Sequence, residues 1–106
     1  SSCESHDKMI GFTSQLPHML AVSLVNSDSH EDTKSFSGDS YRDLTRIASI
    51  NEVLWTELFN ENKDFLLKDM EKFQEAFNEL YEALKNNDLK TLKANLVRAR
   101  KKRDLY

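Results

Sequence analysis

The sequence predicts an all-α fold of long antiparallel helices with short helices between them, and three observations carry that expectation. Only two glycines and one proline interrupt 106 residues, too few for a β-sandwich, whose turns recur roughly every eight to twelve residues. Long stretches rich in Leu, Glu, Lys and Ala favour helix, because straight side chains lose little rotamer freedom there. Apolar residues also return at helical spacing, most plainly at Leu66, Met70, Phe73, Phe77, Leu80 and Leu84. The length fits one domain, residues 1–106, with one modest core.

Taken in order, the first helix is expected from Ser5 or Asp7 to Val25, with Ile10, Leu16, Leu20, Ala21 and Leu24 on its apolar face. Pro17 lies inside it. A proline there removes a backbone donor and clashes with the carbonyl one turn earlier, at Thr13. The helix therefore kinks, or a new one begins near Pro17, and backbone groups of Thr13 and Ser14 become free for other bonds. Residues 26–39 are polar and lack a period, so they read as the longest loop, with room for one short turn. Gly38 is a candidate for a backbone conformation that other residues avoid. Asp39 or Ser40 can cap a short helix from Tyr41 to about Ser49, and Asn51 can cap another over Glu52–Phe59.

The stripe from Leu66 to Leu84 predicts a helix over residues 62–85, a rod of about 35 Å at 1.5 Å per residue. Phe65 and Tyr81 widen the stripe. Asn86, Asn87 and Asp88 form a turn in which Asp88 caps the last helix, where Leu89, Leu92, Leu96 and Ala99 repeat the rhythm. So short a link predicts an antiparallel pair. With Trp55, Leu54, Leu58 and Phe59 added, the apolar surface exceeds what one small chain needs. A homodimer is the preferred explanation, and packing against an upstream portion is the alternative.

Charge and cysteine use narrow the function classes. A net charge of −3, from 15 basic and 18 acidic residues, offers no large positive field and argues against nucleic acid. The basic run Arg98–Arg103 complements the negative end of the last helix. Cys3 stands alone, so no internal disulfide framework exists. No apolar stretch approaches the ~20 residues of a membrane span, and Ser1-Ser2-Cys3-Glu4 lacks the parts of a signal peptide. A cytoplasmic location is the expectation. A start at Ser1 without Met suggests further sequence upstream.

Two segments carry polar groups suited to chemistry. Ser14 and His18 are one turn apart and share a helical face. That pair invites a nucleophile–base reading, but no third, orienting group is identifiable, and a hydrogen-bonded structural histidine is the simpler account. His6, His18 and His30 lack the close ligand spacing of a metal site, so no metal is expected. The second segment, Tyr41-Arg42-Asp43-Leu44-Thr45-Arg46-Ile47-Ala48, has a buried side at Leu44, Ile47 and Ala48. Arg42 or Arg46 can pair with Asp43 or with a ligand carboxylate, which a guanidinium meets with two parallel bonds.

Several of these residues together resemble a known family. Glu4-Ser5-His6-Asp7, then Ser14-Gln15-Leu16-Pro17-His18, then Gly38 and Tyr41–Ala48, then Trp55 and Asn62 follow the order and spacing of the C-terminal domain of prephenate dehydrogenase, with arogenate dehydrogenase as close relative. The resemblance covers essentially the whole chain. It implies a helical dimerisation domain of the 6-phosphogluconate-dehydrogenase C-terminal-like type. It also implies a parent enzyme that oxidises and decarboxylates prephenate to 4-hydroxyphenylpyruvate with NAD or NADP, in tyrosine biosynthesis. Arg46 would then bind a substrate carboxylate, His18 and Ser14 would line the substrate pocket, and Trp55 would shape the surroundings of the arginine. His6 and Asp7 would lie near the domain junction. No Gly-x-Gly-x-x-Gly turn is present in this sequence, so cofactor and catalytic histidine are assigned to an absent N-terminal nucleotide-binding domain. The chain alone is expected to be inactive.

Two positions depart from the family pattern. Gln15 stands where the motif Ser-His-Leu-Pro-His has its first histidine, a change that keeps donors and acceptors. Asp39-Ser40 follows Gly38 where further glycines are usual. A carboxylate at Asp39 near an anionic substrate is expected to bear on the choice between prephenate and arogenate, whose amino group welcomes negative charge. The competing reading is a freestanding helical interaction module, in which Arg46 and His18 have no shared opening.

Overall fold

A computed structural model describes residues 2–106, with all regular structure among the described residues helical. Helix α1 spans Ser2–Ile10, a π-helical turn covers Gly11–Gln15, and α2 runs over Leu16–Asn26. Short helices α3 (Thr33–Phe36) and α4 (Asp39–Thr45) follow, then a 3-10 turn, Arg46–Ala48. Helices α5 (Glu52–Glu61), α6 (Lys63–Lys85) and α7 (Leu89–Arg103) complete the chain. Two compact units divide it, Ser1–Met70 and Glu71–Tyr106, so α6 begins in one and continues into the other.

Of the two outcomes expected at Pro17 the second is found: a π-helical turn ends at Gln15 and a new α-helix begins at Leu16. The Leu16 N–H donates to the Gly11 carbonyl, and Pro17 falls in the first turn of α2, where its missing N–H costs little. In the first unit, α2 packs against α4 and against the 3-10 turn. Leu16, Ala21 and Leu66 are its buried apolar residues.

The long loop is shorter than expected because α3 forms within it. Asp28 organises the approach, accepting from the Thr33 hydroxyl and from both the backbone N–H and the Nδ1 of His30. Those bonds, the Thr33 hydroxyl first, hold its carboxyl below the usual carboxylate range. The expectation for Gly38 fails: its φ of −91° and ψ of −178° are extended backbone that any residue adopts. Asp39 and Ser40 do not cap α4 either, since Gly38 is the N-cap residue and supplies no side chain.

Asn51 does cap α5, its Oδ1 accepting from the Leu54 N–H at 3.0 Å. Asp88 caps α7 through the Thr91 N–H and hydroxyl at 3.1 and 2.7 Å. Between α6 and α7 the chain reverses at Asn87, whose φ of 56° is left-handed. Asp88 N–H bonds to the Ala83 carbonyl and Asn87 N–H to the Leu84 carbonyl, the paired closure of a Schellman turn. Asparagine tolerates that conformation better than most side chains. Within the second unit α6 and α7 are tied by the Asn95 amide and the Arg98 guanidinium, both on Glu79. Ala83 is buried there, while Phe77, Tyr81, Leu84, Leu89 and Leu96 are exposed.

Candidate functional site

Helix α5 and the segment from α1 to α2 run in antiparallel register, and three steps of contact define it. At the first step Gly11 lies under Asn62, so close that a Cβ on Gly11 would stand 2.9 Å from Asn62 Nδ2. At the second, Gln15 reaches across to Leu58, its Nε2 donating to the Leu58 carbonyl at 3.4 Å. At the third, the His18 ring stacks on Trp55 with centroids 4.0 Å apart and planes inclined by 24°. Phe59 supports the indole from the next turn, with centroids 5.5 Å apart.

The polar atoms of the first two steps form one network. Asn62 Nδ2 donates to the Asp7 carbonyl at 3.0 Å and to Gln15 Oε1 at 2.8 Å. Gln15 is only 5% exposed, so its amide acts as a structural bond within the fold. Asp69 Oδ2 is buried nearby, 3.4 Å from where a Gly11 Cβ would stand, with no hydrogen-bond partner among the described residues. Sequence reasoning treated Gln15 as a tolerated replacement and missed this network. The signal was present in the pairing of a long amide with a glycine one turn before it and Asn62 far along the chain.

His18 is half-buried on α2, and its Nδ1 lies 2.7 Å from the Ser14 carbonyl oxygen. A carbonyl only accepts, so Nδ1 carries the proton. The neutral ring then presents a bare Nε2, able to accept a hydrogen bond, and the protonated ring presents a donor for an anion. Ser14, half-buried on the π turn, contributes its carbonyl here rather than its hydroxyl. Trp55 is half-buried, its indole forming one wall of the ring's surroundings.

Arg46 opens the 3-10 turn that packs against α2. Its side chain is exposed and makes no ion pair or hydrogen bond among the described residues. The structure thus sets His18, Ser14 and Trp55 in direct contact or one bond apart, and puts the Arg46 turn on the helix that carries His18. His6 and Asp7 lie one helix earlier, lining with Gln15, Leu58 and Glu61 a separate cavity of about 200 Å³. A larger recess of about 470 Å³, between His30, Phe36 and Tyr41, is lined by none of the residues expected to bind substrate. Among the described residues no cluster of His, Cys, Asp and Glu is arranged to hold a metal ion.

Comparison with known proteins decides the family. The family described as prephenate dehydrogenase, dimerization domain, matches residues 2–98. The chain belongs to that family. It is 34% identical over 84 residues to prephenate dehydrogenase of Bacillus subtilis, covering 74% of this chain and 22% of that protein. It is 33% identical over 93 residues to cyclohexadienyl dehydrogenase of Zymomonas mobilis, covering 82% of this chain and 32% of that protein. Prephenate dehydrogenase from A. aeolicus, solved in complex with hydroxyphenyl propionate and NAD+, superimposes with a TM-score of 0.82 at 32% identity, over 94% of this chain and 37% of that one. Synechocystis arogenate dehydrogenase shares the fold, with a TM-score of 0.86 at 23% identity over 96% and 39% of the respective chains. The chain therefore spans between about a fifth and two fifths of the proteins it matches. The family assignment carries the all-α, 6-phosphogluconate-dehydrogenase C-terminal-like fold expected from the sequence and a dehydrogenase ancestry.

Proposed function

We propose that residues 1–106 form the substrate-binding and dimer-forming domain of an NAD(P)-dependent dehydrogenase that acts on prephenate. One observation carries this reading above the rest: His18 is fixed by Ser14 and Trp55 with Nε2 left open, on the helix against which the Arg46 turn packs. A histidine with Nε2 open and an exposed arginine on the adjoining turn suit a ligand that carries a hydroxyl and a carboxylate. The hydroxyphenyl propionate named with the A. aeolicus relative has that chemistry.

In the proposed reaction a hydride leaves the ring carbon that bears the hydroxyl and passes to NAD(P)+. The ring carboxylate departs as carbon dioxide and its bonding electrons complete the aromatic ring, giving 4-hydroxyphenylpyruvate and NAD(P)H. The cofactor and the catalytic groups belong to a nucleotide-binding domain outside this chain, a division supported by the fraction of its relatives that the chain spans. Arg46 holds a substrate carboxylate, His18 and Ser14 line the pocket, and His6 and Asp7 stand toward the domain junction. The same reading places the protein in the cytoplasm as a homodimer, without nucleic acid or membrane. Among the described residues no helix is long and apolar enough to cross a membrane.

Arg46→Ala in the whole enzyme tests the assignment. Loss of a charge-assisted contact, ~1.5–3 kcal/mol, lowers kcat/KM for prephenate roughly 10- to 100-fold. Unchanged steady-state efficiency would contradict it. Arogenate is the alternative substrate, favoured by one feature: Asp39 opens α4, which also packs against α2. Asp39→Gly is expected to raise the ratio of prephenate to arogenate turnover, and an unmoved ratio removes the role of Asp39.

A further inference from the structure

The contact ladder between α5 and the α1–α2 segment has two kinds of rung. Its upper rung is the His18–Trp55 stack. Its lower rungs are amides: Gln15 on Leu58, and Asn62 on both Gln15 and Asp7. We propose that Gln15, which is buried, and Asn62, which is half-buried, are positioning residues, an amide clamp that sets the width of the π turn and thereby the orientation and tautomer of His18.

Covalent proximity makes the connection short. Gln15 is the last residue of the π turn and follows Ser14, whose carbonyl anchors His18 Nδ1. Leu58, which receives the Gln15 amide, sits one turn along α5 from Trp55, on which the imidazole rests. Both ends of the clamp therefore lie one residue or one turn from a group that touches His18. A π turn is less favourable than a regular helix and persists where tertiary bonds hold it. Here Asn62 bridges the carbonyl of Asp7, before the turn, to the side chain of Gln15, at its end. Gly11 completes the fit, because a Cβ there would force Asn62 away.

Without the clamp the turn is free to shift by a residue's worth of rotation, carrying the Ser14 carbonyl away from Nδ1. The ring then loses both its acceptor and its aromatic floor, and Nε2 no longer has a fixed direction. The functional meaning of this rests on the reading of His18 as a substrate-facing group, while the geometry itself does not.

Histidine-selective 15N labelling of the chain in its native assembly, in mildly alkaline buffer without ligand, tests the proposal. The wild type should show His18 protonated at Nδ1, with ring protons displaced upfield by the Trp55 indole. Gln15→Leu should move His18 toward the Nε2–H form that a free neutral imidazole prefers and abolish the upfield displacement, with helix content retained. Asn62→Ala, which removes bulk instead of adding any, should do the same and decides the matter if Gln15→Leu does not fold. A folded variant with wild-type His18 signals overturns the clamp. In the unmutated chain, Asn62 carboxamide protons should exchange far more slowly than those of exposed Asn26, and equal rates would overturn it independently of any variant. Since no substrate is present, a failed substrate assignment leaves these results standing. A failed clamp likewise leaves the Arg46 kinetics intact.

Discussion

The two compact units are each held together by different kinds of contact. From α1 to the start of α6, the Gln15 and Asn62 amides bridge elements far apart in sequence, and Leu16, Ala21 and Leu66 are buried. The α6–α7 hairpin is joined by exposed polar ties on Glu79 and buries Ala83, while Phe77, Tyr81 and Leu84 on α6 and Leu89 and Leu96 on α7 remain open. Exposed ion pairs are worth ~0–1 kcal/mol each, so the hairpin owes little of its stability to them. The first unit is marked by specific polar bonds between distant segments, and the hairpin by open apolar area on both of its helices.

The largest effect that could break this contrast comes from Phe77→Glu. Phe77 is 61% exposed in the chain itself, so the helix should form normally in the variant. In an assembled dimer the change removes a buried ring and introduces a charge, a loss of at least ~3 kcal/mol or about 100-fold in dissociation constant. Sedimentation at micromolar concentration should show monomer. A dimer of unaltered affinity would mean that another face forms the interface.

Gly11→Ala should cost ~1–3 kcal/mol, by overpacking against Asn62. Thermal unfolding measures it, and a variant as stable as the wild type would show that the first unit is looser than its bond lengths indicate.

Asp88→Ala should loosen the start of α7 by removing its cap, seen as faster amide exchange in the first turn of that helix. Its pH dependence has a definite sign. The Thr91 hydroxyl, and then the Thr91 amide, hold the Asp88 carboxyl below its ordinary value of 3.8, outweighing the opposing effect of burial. The cap is therefore fully formed above the unfolded value near 3.8 and is lost as pH falls through the lower folded value. Protection of the Thr91 amide that is flat across that acidic range would contradict it.

What was legible in the sequence follows the same division. The caps at Asn51 and Asp88 could be read directly because donor and acceptor lie three residues apart. The long stripe on α6 was equally plain, since its period belongs to the helix that bears it. The π turn was not legible. Proline at position 17 announced a disturbance, but its form depends on Asn62, 47 residues from the amide it holds. Gly38 misled because glycine permits left-handed backbone without requiring it, and the reversal that needs it occurs at Asn87. His18 and Trp55 were both selected through the family resemblance, 37 residues apart by their numbering, yet nothing local indicated that their rings would touch.

That stack has a practical side. Trp55 is the only tryptophan in these 106 residues, and its indole lies against an imidazole at 4.0 Å. Imidazolium quenches indole emission far more than neutral imidazole does. Any molecule that draws a proton onto His18, or wedges the two rings apart, will change the brightness of Trp55. The chain thus contains an intrinsic fluorophore placed to report on the surroundings of His18, with no label attached.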